Sequence, residues 1–226
     1  MRAPRQLARQ VYRRLLKAYG EPAWRDRKPP VDELVSTILS QNTNDLNRDR
    51  AYLRLRERFP TWEAVRDAKP SQVVRAIRVA GIANQKGPRI QAALRAITDE
   101  RGQIELEFLR KQAPEAVRAW LLQIKGVGPK TAAIVMQFAL DMPAFPVDTH
   151  IHRVSGRIGL RPPTASREQA HQILAALFAP ETYYAAHLNL IRHGREICKA
   201  GRPRCEQCSL TDLCDYYARL DPTPGS

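Results

Sequence analysis

Leu121-Leu122-Gln123-Ile124-Lys125-Gly126-Val127-Gly128-Pro129-Lys130-Thr131-Ala132-Ala133, running on into Ile134-Val135-Met136-Gln137-Phe138, is the stretch on which the fold turns. Val117, Trp120, Leu121 and Ile124 repeat at helical spacing before it and an apolar run follows, so two helices meet at a Gly-Val-Gly turn. Glycine at both turn positions allows positive φ and leaves no side chain between the backbone and a ligand. A second helix starting at Pro129 or just after would point its free N–H groups and dipole outward, together with the amides of Gly126, Val127 and Gly128. Such an end binds a phosphate without reading a base. A G-x-G by itself also suits an ordinary interhelical turn.

Lys130 falls in the first turn of that second helix, and Asp148 follows within Phe145-Pro146-Val147-Asp148-Thr149-His150. A lysine beside a helix N-terminus meets the positive end of the dipole, which costs a few tenths to about 1 kcal/mol and favours the neutral amine. A neutral amine is a nucleophile. The apolar-flanked carboxylate downstream sets Lys130 apart from a solvated surface lysine.

Outward from this turn the periodicity stays helical almost throughout. Val31, Leu34, Val35, Ile38 and Leu39 make one apolar stripe, Ile173, Leu174 and Leu177 another, and Tyr184, Leu188 and Ile191 a third. Ser166 with Gln169 reads as a capping box, Thr61 as an N-cap with Glu63 in the first turn, and Pro30 as an early helical residue. Alternating apolar and polar runs between hairpin turns are absent, so the fold class expected is all-α with no substantial sheet. The tail Asp221–Ser226 is expected to be disordered.

All four cysteines lie at the C-terminal end, Cys198, Cys205, Cys208 and Cys214, spaced C-x6-C-x2-C-x5-C. Four thiolates so close together describe a metal cage. Zinc and a [4Fe-4S] cluster both take four cysteines; only Cys205 and Cys208 form a short knuckle, which leans toward iron-sulfur and leaves zinc open. No apolar signal segment opens the chain, so disulfides fit poorly and a reducing, cytoplasmic setting is expected. Between Cys198 and Cys205 the loop carries Lys199, Arg202 and Arg204 around Gly201 and Pro203, a phosphate-facing device once a metal fixes its shape. Lys and Arg number 37 against 23 Asp and Glu, giving net charge +14, which attracts polyanions. No apolar run approaches the roughly 20 residues that span a bilayer, so no membrane partner is expected.

Taken in order, Ile38-Leu39-Ser40-Gln41-Asn42-Thr43, the Gly126–Ala132 segment, Val147-Asp148-Thr149-His150, His193-Gly194-Arg195 and the four cysteines resemble the endonuclease III family of helix-hairpin-helix DNA glycosylases, over roughly residues 30 to 216. The resemblance implies two all-α domains with the active site in the cleft between them. One would be a six-helix domain over 31–142; the other would combine 1–30 with 143–226 and hold the cluster. It implies that Cys198, Cys205, Cys208 and Cys214 bind [4Fe-4S], that Lys130 matches the family nucleophile and Asp148 its aspartate, and that Gln41 and Ile82 match residues filling the gap left by a flipped nucleotide. Pro129 stands where arginine is frequent, Lys125 where proline is, and Gly-Ile-Ala surrounds the wedge position where leucine followed by a large residue is common. These departures bear on the damage spectrum and leave the reaction class alone.

The function implied is a monomeric bifunctional glycosylase and AP lyase acting on double-stranded DNA. It would evert an oxidised pyrimidine, attack the sugar C1′ through Lys130 and cut 3′ to the abasic site by β-elimination through a Schiff base. A free lysine, with a pKa of about 10.4, is neutral about once in 2,500 molecules at pH 7, and handing its proton to a free aspartate is uphill by on the order of 9 kcal/mol. Either the cleft shifts both pKa values toward each other by desolvation, or Asp148 acts mainly by stabilising positive charge on the sugar; the second is the expectation favoured here, with proton shuttling later. The competing readings are a monofunctional mismatch glycosylase, which would lack the hairpin lysine, and a non-catalytic DNA-binding module.

Overall fold

A computed structural model describes residues 3–23 and 27–220, and every regular element among them is helical. The expectation for the tail Asp221–Ser226 lies outside the described residues. In chain order the helices are α1 (Pro4–Tyr19), α2 (Pro30–Ser40), α3 (Asp45–Arg58), α4 (Trp62–Asp67), α5 (Pro70–Ala76), α6 (Ala83–Arg101), α7 (Pro114–Gln123), α8 (Pro129–Ile134), α9 (Thr149–Ile158), α10 (Arg167–Leu177), α11 (Tyr183–Glu196) and α12 (Asp215–Leu220). Single 3₁₀ turns lie between several of them, and a π-helical turn, Val135–Ala139, continues α8.

Local chemistry sets these boundaries. Proline opens α1, α2, α5, α7 and α8, where its missing N–H has no helical partner to lose. Side-chain caps open others: Asn44 accepts from the Asn47 amide, Thr61 from that of Ala64, and Ser166 with Gln169 closes a reciprocal capping box. Gly102 and Gly159, both left-handed, end α6 and α9.

The chain divides into two units, one of Met1–Arg25 with Pro143–Ser226 and one of Asp26–Met142. The second starts before the expected residue 31, because Lys28 Nζ donates to Ser36 Oγ at 3.1 Å and Arg27 donates twice to the Asp141 carboxylate at 2.6 and 2.8 Å. This hairpin unit holds α2 to α8, one helix beyond the six expected, since the extended Ala68 and Lys69 ahead of Pro70 separate α4 from α5. Its core takes the whole Val31–Leu39 stripe together with Leu55, Ile77, Ile90, Leu94, Ile97, Val117 and Leu121, all buried. Burying each such side chain contributes about 1.5–3 kcal/mol.

The cluster-bearing unit packs Leu7, Val11 and Leu15 of α1 against Ile151, Val154 and Ile158 of α9, Ala170 and Leu174 of α10, and Tyr183, Ala186 and Leu190 of α11. Phe145 joins them, stacked on Phe178 with ring centroids 5.2 Å apart. The expected stripes here are corrected: Ile173, Leu177, Leu188 and Ile191 are only half-buried, and on α10 and α11 the deepest face lies about one residue to the side. Small Ala170 and Ala186 lie on that face, both buried.

Candidate active site and cluster loop

At the turn between α7 and α8 the two glycines do different work. Gly126 has φ +90°, a conformation that L side chains rarely adopt, and a Cβ there would stand 3.0 Å from Arg89 Cγ, so Arg89 would have to give way. Gly128 has an ordinary φ of −97°, and a Cβ on it would meet nothing within 4 Å. Positive φ, expected at both positions, is therefore used only at Gly126. Nothing in the fold requires glycine at Gly128, whose exposed backbone is left bare. Val127 between them is buried, and its amide donates to Ile124 O at 2.9 Å. Lys130, the second residue of α8, is exposed, and its amine is engaged by no hydrogen bond or ion pair among the described residues.

Asp148 belongs to the other unit. It is the N-cap of α9, half-buried, with Oδ1 accepting from the Ile151 amide at 2.8 Å. Two buried histidines hold the extended segment that delivers it: His171 Nδ1 bonds Phe145 O and His187 Nδ1 bonds Pro146 O, each at 3.0 Å. Donation to carbonyls assigns the proton to Nδ1 in both rings. Sequence reading left these histidines without a role, because an isolated histidine on a helix carries no local sign of its distant partner.

Gln41 is the C-cap of α2, half-buried, and its side-chain Oε1 accepts from Arg89 at 3.1 Å. Ile82 caps the start of α6 at φ +40°, ψ +36°, a left-handed conformation that a β-branched residue rarely adopts. It is 41% exposed and lies outside the core. One turn along α6, Lys86 is fully buried and its Nζ donates to Leu39 O and to Ala80 O, both at 2.7 Å. Burial pushes the Lys86 amine down to about 8. Sequence reading missed both Lys86 and Arg89; two cations on a helix rich in polar residues read as solvated.

Cys198, Cys205, Cys208 and Cys214 are all free thiols on the wall of one cavity, which Arg157, His193, Leu210 and Tyr216 also line. Among the described residues no group of three or more His, Cys, Asp or Glu side chains is set to hold a single metal ion. Burial, with the neighbouring sulfurs adding to it, pushes the Cys205 and Cys214 thiols up and Cys208 to about 11. Four mutually opposed sulfurs suit a cationic iron-sulfur core, which would stabilise the thiolates. Donors already surround them: Arg157 reaches Cys198 Sγ and the Leu210 amide reaches Cys208 Sγ, each at 3.4 Å. Tyr19 Oη and Nδ1 of buried His193 are hydrogen-bonded at 2.9 Å, and His193 Nε2 faces Cys208 Sγ at 3.6 Å; a Cys208 thiolate would accept from Nε2–H, which leaves Nδ1 to accept from Tyr19. Burial holds that ring neutral, down to about 4.

Lys199, Arg202 and Arg204 are exposed on the loop between the first two cysteines. Metal is not alone in shaping it. Arg157 donates to Lys199 O at 2.7 Å and Ala200 O at 2.9 Å, and Arg153 to Cys198 O at 3.0 Å.

Residues 35–180 match the HhH-GPD superfamily of base excision DNA repair proteins, and residues 198–214 match the iron-sulfur binding domain of endonuclease III. The chain is 32% identical to endonuclease III of Thermotoga maritima over 214 residues, covering 95% of this chain and 93% of that protein. It is also 32% identical to endonuclease III of Escherichia coli over 192 residues, 85% and 86% of the two chains. Among solved structures, a trapped covalent intermediate of endonuclease III with DNA superposes with a TM-score of 0.82 at 27% identity, over 98% of this chain and all of the other. A thermostable thymine-DNA glycosylase, at 21% identity and a TM-score of 0.80, shares the fold.

Proposed function

The chain belongs to the HhH-GPD superfamily of base excision DNA repair proteins, within the endonuclease III family, and we propose that it excises oxidised pyrimidines from duplex DNA and then cuts 3′ to the abasic site. The observation that carries this reading is Lys130: an exposed amine, engaged by no other described residue, in the first turn after the Gly126–Gly128 hairpin. That a similar protein has been solved as a trapped covalent intermediate with DNA supports a nucleophile in this one.

In this reading Lys130 Nζ bonds to C1′ of the everted nucleotide as the bond from C1′ to the base nitrogen breaks and the base leaves with its electron pair. The sugar ring opens to a Schiff base on Lys130. Loss of a 2′ proton then expels the 3′ phosphate, and water releases the lysine. Asp148 stabilises the positive charge that builds on the sugar while the base departs; its second oxygen is left for that work while the first caps α9. Gln41 and Ile82 fill the gap in the duplex, and the bare backbone from Gly126 to Gly128 and the side chains of Lys199, Arg202 and Arg204 meet phosphates. The [4Fe-4S] cluster is held by Cys198, Cys205, Cys208 and Cys214, and supplies a cross-link that keeps the basic loop in one shape. The protein acts as a monomer in the cytoplasm.

Borohydride reduction during turnover on a duplex carrying one oxidised pyrimidine tests the assignment. The protein is expected to become covalently attached to the strand, and Lys130→Met to abolish both adduct and scission. Base excision without any adduct would point to a monofunctional glycosylase; tight binding without excision would point to a DNA-binding module. Either result overturns the proposal.

A further inference from the structure

Lys86 is fully buried, at 0% exposure, and sits where an apolar residue would cost far less. Its two acceptors are not arbitrary. Leu39 O belongs to the last turn of α2, whose carbonyls have no helical amide ahead of them, and the chain then turns through Gln41 and left-handed Asn42. Ala80 O closes the 3₁₀ turn Arg78–Ala80, after which Gly81 and Ile82 both take positive φ. One amine thus joins the backbone two residues before Gln41 to the backbone two residues before Ile82.

Arg89, three residues further on α6, completes the arrangement from the outer side. It donates to Gln41 Oε1 at 3.1 Å and to Gln85 Oε1 at 3.4 Å, and its stem lies against Gly126. Filling the same space with a hydrocarbon would satisfy neither carbonyl and would let each chain end settle independently.

We propose that Lys86 is a positioning residue that couples the Gln41 and Ile82 segments, holding both ready to enter DNA together when a nucleotide is everted. The proposal rests on the reading of Gln41 and Ile82 as the gap-filling pair. It assigns Lys86 no contact with DNA or with the reacting atoms. Holding the strained Ile82 backbone in place before binding removes a rearrangement from the eversion step, and a misplacement of about 1 Å at such a step can cost up to about 100-fold in rate.

A cycle of variants in the cluster-loaded protein tests this, with eversion followed by the fluorescence of 2-aminopurine beside an oxidised pyrimidine. Affinity for undamaged duplex and thermal unfolding are recorded alongside. Gln41→Ala/Ile82→Ala is expected to slow eversion. Lys86→Met, and Lys86→Gln as the milder variant that reaches one carbonyl, should slow it by roughly 10- to 100-fold while affinity for undamaged duplex is kept. Added to Gln41→Ala/Ile82→Ala, either Lys86 change should slow eversion no further. An equal additional loss in that background, or a change in unfolding temperature with eversion at the unaltered rate, would overturn the coupling. Unaltered eversion in Gln41→Ala/Ile82→Ala would instead overturn the gap-filling reading itself, and the role of Lys86 with it.

Discussion

At Asp148 one carboxylate oxygen is committed to the Ile151 amide, so the residue has a structural duty beside its proposed charge-stabilising one. Asparagine caps as well as aspartate, which separates the two. Asp148→Asn should keep thermal stability to within a few tenths of a kcal/mol and bind DNA normally, yet lose roughly 100- to 1,000-fold in single-turnover base excision; Asp148→Ala should in addition lose about 1 kcal/mol of stability. Lost DNA affinity in the asparagine variant would count against the charge role. Ile82 gives a complementary case, because its left-handed backbone costs about 1–2 kcal/mol that the fold could avoid. Urea unfolding should show Ile82→Asn as stable as the parent or up to about 1 kcal/mol more so, while 2-aminopurine fluorescence reports slower eversion. Ile82 was legible as an apolar loop residue by resemblance, whereas its exposure and strain could be seen only in three dimensions.

Among the elements, α10 and α11 are the least faithfully written in the chain. Their apolar stripes marked them as helices, and the residues that matter most on them, His171 and His187, are polar and bond carbonyls far away in sequence. Removing either ring leaves a buried carbonyl without its donor. His171→Ala and His187→Ala should each lower stability by about 1–3 kcal/mol and slow base excision by loosening the segment before Asp148, with affinity for undamaged duplex kept. Equal excision rates in the variants would show that Asp148 is placed by its cap alone. The turn between α7 and α8 was read nearly in full, because proline at the first helical position and glycine before it act within a few residues. What the sequence could not separate was Gly126, favoured by φ +90° and crowded by Arg89, from Gly128, subject to neither.

For the whole molecule, a net charge of +14 predicts salt-sensitive binding to DNA, and the loop of Lys199, Arg202 and Arg204 is proposed to supply a defined part of it. Replacing Lys199, Arg202 and Arg204 together by glutamine should reduce the slope of log affinity against log salt by up to about 3, equally on damaged and undamaged duplex, with the iron-sulfur absorbance intact. An unchanged slope would remove this loop from the phosphate contacts. By itself the sequence determined the helical class, the hairpin with Lys130 in the first turn of its second helix, and the close spacing of the four cysteines, since periodicity, caps and spacing are carried by neighbours along the chain. Only the tertiary structure decided that Lys86 joins Leu39 to Ala80, that His171 and His187 hold the approach to Asp148, and that Arg157 shapes the loop beside the cysteines. Those bonds span up to 47 residues, and a buried donor's choice of carbonyl depends on which helix ends packing brings within about 3 Å of it.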